Sequence, residues 1–168
     1  MTSEPASARP VRFPPEYGTP GGPESLRSWR EIEPRLRAAA NYWVTTTTGP
    51  GGRPHARPVD GVWVDGALCF GGSPATRWVR NLLANPAISV HLSSEADAII
   101  LEGTAEVVTD PAHPLAAPCM AASREKYPQY YSADMPFRPF WVLRPTTAYA
   151  WTLERFPRGA TRWHFERR

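Results

Sequence analysis

The residues best suited to chemistry lie between Arg53 and Leu92, where a Gly71-Gly72-Ser73-Pro74 turn is followed by Thr76, Arg77 and Arg80. Ser73 and Thr76 are both competent helix N-caps, and Pro74 fits a first helical turn. A helix start presents unpaired backbone N–H groups and a partial positive charge, so it attracts anions. Arg77 and Arg80 are three apart and can point along one side of such a helix. Upstream, alternation along a strand puts His55, Arg57 and Val59 on one face and Pro54, Ala56 and Pro58 on the other. Three guanidinium groups directed at a helix start suit a phosphate, which arginine grips with a planar fork. The glycines let backbone approach a ligand closely.

A plainer reading stands beside this one. An isolated Arg-x-x-Arg is ordinarily a solvated helix face, and only the turn and the upstream arginine bring the phosphate reading level with it. His91 reads as a packed or hydrogen-bonded strand residue, His113 as part of a loop, and His164 and the tryptophans as core or subunit contact. Trp63 and Trp151 could instead line an apolar pocket. No Ser-His-Asp order, Walker loop or metal-ligand spacing stands out, so no metal is expected. No catalytic acid or base is singled out; Tyr127, Tyr130 and Tyr131 in a loop are candidate proton sources.

The elements that must position these groups follow from local pattern. Residues 1–23 hold six prolines and three glycines and read as an extended arm or a mobile tail, with the folded domain over 24–168. Leu26, Trp29, Ile32 or Glu33, and Leu36 recur at helical spacing over 24–40, with Pro34 expected to kink or divide the helix. β-branched and aromatic runs give strands at 41–48, 53–64, 67–72, 87–93 and 98–108, the second and third joined by an Asp65-Gly66 turn. Gly49 to Gly52 is a turn. A short helix spans Ala75 to Ala84 and stops at Asn85-Pro86. The 110–134 stretch is part helix. Residues 140–154 give one or two strands broken near Pro145, and 160–165 a last strand. Six to eight strands in hairpins with few helices make a mostly β protein, a β-barrel with flanking helices.

Bulk properties narrow the partners. A chain of 168 residues is one domain by size and can bury roughly 70% of its unfolded surface. All but one of the nineteen basic residues are arginine, the exception being Lys126, and the net charge of +3 is modest. The arginines are scattered and no nucleic-acid motif appears, which argues against a nucleic-acid partner. No run of about 18 apolar residues exists, so no membrane partner is expected, and the cytoplasm is the default location. Cys69 and Cys119 match no metal spacing and read as free thiols.

The stretch Gly52 to Val59 (GRPHARPV), the Asp-Gly hairpin, and Gly72 to Pro86 (GSPATRWVRNLLANP), in that order, resemble the pyridoxamine 5′-phosphate oxidase-like superfamily. The later EGTAEVV (102–108) and ATRWHF (160–165) resemble its flavin/deazaflavin oxidoreductase branch, and the likeness covers about residues 36–165. It implies the FMN-binding split β-barrel fold and a homodimer with the cofactor at the subunit interface. It also implies an oxidoreductase binding FMN or the deazaflavin F420 and moving hydride to or from a small organic substrate. Arg57 would reach the phosphate or ribityl chain, Gly71 and Gly72 would run along the ring system, and Thr76, Arg77 and Arg80 would hold the phosphate. Asn81 and Asn85 would fix the helix end. Arg53, Arg57 and Arg80 could serve the long anionic tail of F420, which tips the balance slightly toward that cofactor. The alternative is a non-catalytic flavin or haem carrier on the same fold. The motif for a second, substrate phosphate has no match here. Two positions depart from the family pattern. Trp78 stands where many relatives have lysine, and Asp60 where many have an aromatic or apolar residue.

Overall fold

The computed structural model describes residues 4–49 and 51–166; the first three residues of the expected arm and Pro50 of the expected 49–52 turn lie outside them. Nine strands make one antiparallel sheet: β1 (Ser7–Pro10), β2 (Tyr42–Thr46), β3 (His55–Val59), β4 (Gly61–Val64), β5 (Ala67–Phe70), β6 (Ala87–His91), β7 (Asp97–Val108), β8 (Phe140–Thr152) and β9 (Thr161–His164). Among the described residues three α-helices flank it: α1 (Trp29–Ala38), α2 (Arg77–Ala84) and α3 (Ala116–Lys126). The ladder runs β1-β9-β8-β7-β6-β2-β3, with β5 joining β4 to β8. β8 is the fork. One side pairs with β7 throughout, while the other takes β5 at 141–143 and β9 at 147–150. β3 and β4 meet only through the chain at Asp60, so the sheet curls into a barrel without closing, as the expected mostly β split barrel does.

Several local expectations changed. The 53–64 strand is interrupted at Asp60, where the chain turns from one side of the barrel to the other. The 140–154 segment is one strand, because a bulge opposite Gly103 absorbs Pro145, which has no N–H to give the ladder. Gly103 is required there: a Cβ would stand 2.8 Å from the Arg144 carbonyl oxygen and 2.9 Å from Leu143 Cδ1. The first helix starts only at Trp29, capped by Ser28 Oγ accepting from Arg30 N at 3.2 Å, and Pro34 neither divides nor ends it. Pro34 lies on the outer side, where the carbonyl it leaves unpaired can meet solvent. From Glu4 onward the arm is laid on the barrel, with β1 pairing β9. The Asp65-Gly66 hairpin forms with both φ angles positive, +48° and +72°, as a type I′ turn needs.

The barrel interior is filled from α1, whose buried Trp29, Ile32 and Leu36 plug one end. Trp29 sits edge-on to Trp63, Trp163 and Phe165 at centroid distances of 6.2, 5.4 and 5.0 Å. A second cluster lies under α3, where Val62, Ala67, Val108, Leu115, Phe140 and Val142 surround the two cysteines. Cys69 and Cys119 are not free thiols: they are paired as a disulfide, with Cα atoms 6.4 Å apart. Their separation of 50 residues concealed that α3 returns to the sheet within reach of β5. Among the described residues no helix is long and apolar enough to cross a membrane.

Candidate functional site

The cationic part of the site begins on β3, which pairs only with β2 and forms an edge. His55 lies opposite Thr46, Arg57 opposite Val44 and Val59 opposite Tyr42. Opposed residues of an antiparallel pair share a face, so the alternation expected for His55, Arg57 and Val59 holds. Partial desolvation lowers the His55 imidazole below its ordinary pKa, and the positive charges of Arg57 and then Arg77 lower it further. Arg57 and Arg77, from separate elements, thus both act electrostatically on His55. Arg80 follows Arg77 by one turn on the exposed side of α2, and its guanidinium donates to the Ala75 carbonyl. Arg57 donates to its neighbour Ala56 O at 3.2 Å. Among the described residues no carboxylate pairs with Arg57, Arg77 or Arg80. Unneutralised positive charge of this kind favours an anion.

The helix start differs from expectation. α2 begins at Arg77, not Ala75, because Ser73 to Thr76 form their own turn. Thr76 N and Oγ1 both donate to Ser73 O, at 2.9 and 2.7 Å, and Ser73 Oγ accepts from Ala75 N at 3.2 Å. Thr76 is the N-cap residue, yet its side chain makes no capping bond. The N–H groups of the first turn thus have no side-chain acceptor, which suits an anion at that end. Asn81 ties α2 to Thr46 Oγ1 of β2 at 3.2 Å, and Asn85 at the helix end bonds Thr47 Oγ1 just beyond that strand at 3.4 Å.

Beside the same turn opens a largely apolar cavity of about 790 Å³. Val59, Gly71, Gly72 and Ser73 line it; His55 and Arg57 on β3 and Thr76, Arg77 and Arg80 at α2 do not. Trp78 belongs to neither region. It is buried against Phe70, with ring centroids 5.9 Å apart, and presents nothing to a ligand. Gly72 is glycine because Trp78 and Val79 occupy the place of a side chain there. Gly71 is different: a Cβ would meet only the Tyr131 hydroxyl, 3.8 Å away, so this backbone is open to the cavity. Trp63 and Trp151 do not line it. Trp63 is core and donates to Glu33 at 3.1 Å, while Trp151 packs with Phe13 and Phe156.

The far wall comes from α3 and the loop after it. Tyr127, Tyr130 and Tyr131 all face the cavity. Tyr127 is buried, and its hydroxyl accepts from Gly61 N at 3.1 Å and can donate to Gly61 O at 2.9 Å or Ala40 O at 3.0 Å. That clamp holds the break between β3 and β4. Tyr131 is raised above the ordinary phenol pKa by burial and by the Asp60 charge, while Arg138 opposes. Asp60 is exposed to solvent and also lines the cavity. Lys126, the only lysine, donates to Gly61 O at 2.8 Å and to Tyr42 Oη at 3.3 Å, and burial lowers its pKa to about 8 against the pull of Asp60. Lys126, Arg138, Met120 and Met135 escape a reading of the sequence because the 110–140 stretch has no periodicity; the singular lysine is the one available hint. Among the described residues no group of three or more His, Cys, Asp or Glu could hold a metal.

A match to the pyridoxamine 5′-phosphate oxidase family spans residues 29–152. The chain belongs to that family. No curated protein matches it in sequence. Solved structures of similar shape include a heme binding protein from Mycobacterium smegmatis, with TM-score 0.59 and 24% identity over 74% of this chain. The chain spans only 54% of that protein's length. HutZ, the heme storage protein from Vibrio cholerae, has TM-score 0.56 and 17% identity, over 85% of this chain and 93% of its own. A FAD-binding protein from Mesorhizobium loti has TM-score 0.56 and 17% identity, over 83% and 96%. At these identities the likeness establishes the split-barrel fold shared across the family.

Proposed function

We propose that this family member is an oxidoreductase that binds FMN or F420 by its phosphate and moves hydride to or from a small organic substrate. The observation that carries this reading is a set of arginines from two elements, Arg57 on β3 and Arg77 and Arg80 on α2, without a carboxylate partner among the described residues, with the turn before α2 lining the cavity. The residues fit such a group. Arg57, Arg77 and Arg80 would hold the phosphate together with the first-turn N–H groups of α2, and the open backbone at Gly71 would let a flat ring lie close. His55 would contribute when protonated, and Val59 would pack beneath the ring edge. The bound cofactor supplies the hydride chemistry; the chain supplies position, exclusion of water and protons. Tyr131 would donate the proton, since Tyr127 already commits its hydroxyl to Gly61 and Ala40 and Tyr130, though it lines the cavity, is largely exposed. Exposed Arg53 continues the cationic row beyond β3, which favours F420 slightly over FMN. The proposal includes a homodimer with the cofactor at the subunit interface, working in the cytoplasm.

A carrier of flavin or haem is the second reading. Met120, Met135, Tyr130 and Tyr131 on the cavity wall are residue types that ligate haem iron. Haem-binding and FAD-binding names among the structural neighbours support keeping it. Titration of the pure protein with FMN, F420 and haem separates the cofactors by absorbance, and turnover of a reducible substrate separates enzyme from carrier. Arg77→Ala should weaken FMN or F420 at least about tenfold, or about 1.4 kcal/mol, by removing a charge-assisted contact. Unchanged affinity in that variant would overturn the phosphate anchor.

A further inference from the structure

We infer that Cys69 and Cys119 form a reversible thiol–disulfide exchange site in the cavity wall, reduced by small thiols and reoxidised by small disulfides, whose state sets how firmly α3 closes that wall. Both cysteines line the cavity, although each is almost wholly shielded from the outer surface. A small thiol reaching the sulfurs therefore arrives through the cavity.

The two linked elements are held very differently. β5 is locked between β4 and β8. Within α3 only Ala116 and Cys119 are buried, both small, so the helix gains little from apolar burial along its length. Its other fixings are few: Ala122 is partly buried against the same cluster, Arg124 donates to the Ser132 and Met135 carbonyls, Leu115 is buried before it, and Lys126 and Tyr127 bond to Gly61 where it finishes. The disulfide is the covalent tie of the helix's middle to the sheet, next to Met120 and Ser123, which face the cavity. Opening it frees the stretch that forms the wall.

The exchange balances as follows. A small thiolate attacks one cysteine sulfur and displaces the other as a thiolate, leaving a mixed disulfide. A second small thiol attacks that mixed disulfide and leaves as the small disulfide. The two cysteine sulfurs take up two protons, so two electrons pass from two small thiols to the protein. A small disulfide drives the reverse sequence. The inference rests on the cavity and α3, and needs no bound cofactor.

The test uses the full chain, equilibrated natively in glutathione buffers from fully reduced to fully oxidised, then acid-quenched, alkylated with N-ethylmaleimide and weighed. The expected result is that both thiols appear and disappear together, reversibly. Amide exchange in peptides covering Ala116–Lys126 should be about tenfold faster in the reduced protein, while β7 and β8 stay unchanged. The Cys69→Ser/Cys119→Ser protein should show the fast pattern at every buffer ratio. If that variant does not fold, the reduced and oxidised wild-type proteins still decide the matter. A disulfide that glutathione reduces only in denatured protein would overturn the inference, as would thiols that never pair in oxidised glutathione or α3 exchange that ignores redox state. Absence of FMN, F420 and haem binding leaves these outcomes intact, and an inert cysteine pair leaves the cofactor reading intact.

Discussion

The indole of Trp78 fills the space in which any side chain at Gly72 would have to stand. Its six-membered ring lies well inside van der Waals contact of that Cβ position, and Val79 Cγ2 closes the site from 2.8 Å. The residue that departs from the family pattern is therefore bound to the glycine turn by packing, and the turn is held in place by the core rather than by a ligand.

Gly72→Ala should destabilise the protein by about 1–3 kcal/mol through overpacking. Urea unfolding followed by tryptophan fluorescence measures it. Trp78→Leu in the same chain should recover part of that loss, giving a coupling energy in a double-mutant cycle. Additive effects would show that the contact is not the cause.

Arg57→Ala and Arg77→Ala should each raise the His55 pKa toward its ordinary value, because each removes a repelling charge. Imidazole proton NMR across the titration reads this directly, with or without a cofactor. Inorganic phosphate should raise the His55 midpoint in the wild type, and less in Arg77→Ala. A midpoint indifferent to both variants would separate Arg57 and Arg77 from His55.

Tyr127→Phe should cost about 1–3 kcal/mol, since the Gly61 N–H is left without its acceptor where β3 passes into β4. The midpoint of urea unfolding should fall with an unchanged slope. Tyr131→Phe should leave stability nearly unchanged and slow any turnover that needs its proton.

Stability should rise from about pH 8 toward pH 10 and fall beyond it. Lys126 has a pKa of about 8 in the folded protein against an ordinary 10.5, so the unfolded chain binds more protons in that window and folding gains as pH rises through it. Burial raises Tyr42 above its ordinary value, so beyond about pH 10 the unfolded chain loses the phenol proton first and stability declines. Lys126→Met should remove the rise and keep the decline. Denaturant midpoints at half-unit pH steps check both limbs.

What the sequence determined by itself is the local grammar. Alternation placed His55, Arg57 and Val59 on one face, Asp65-Gly66 set a hairpin, and Asn85-Pro86 ended α2. Such features depend on neighbours within a few residues, so a single strand or turn reveals them. Tertiary structure alone decided the rest. Trp78 became core because α2 lies on Phe70 and Gly72. Pro145 stayed inside one strand because Gly103, on the neighbouring strand, gave it a bulge. Cys69 met Cys119, and Lys126 and Tyr127 closed on Gly61, because α3 folds back over β4. Contacts of this kind join residues as much as 87 apart, and loop closure over such lengths leaves no periodic trace in the intervening chain.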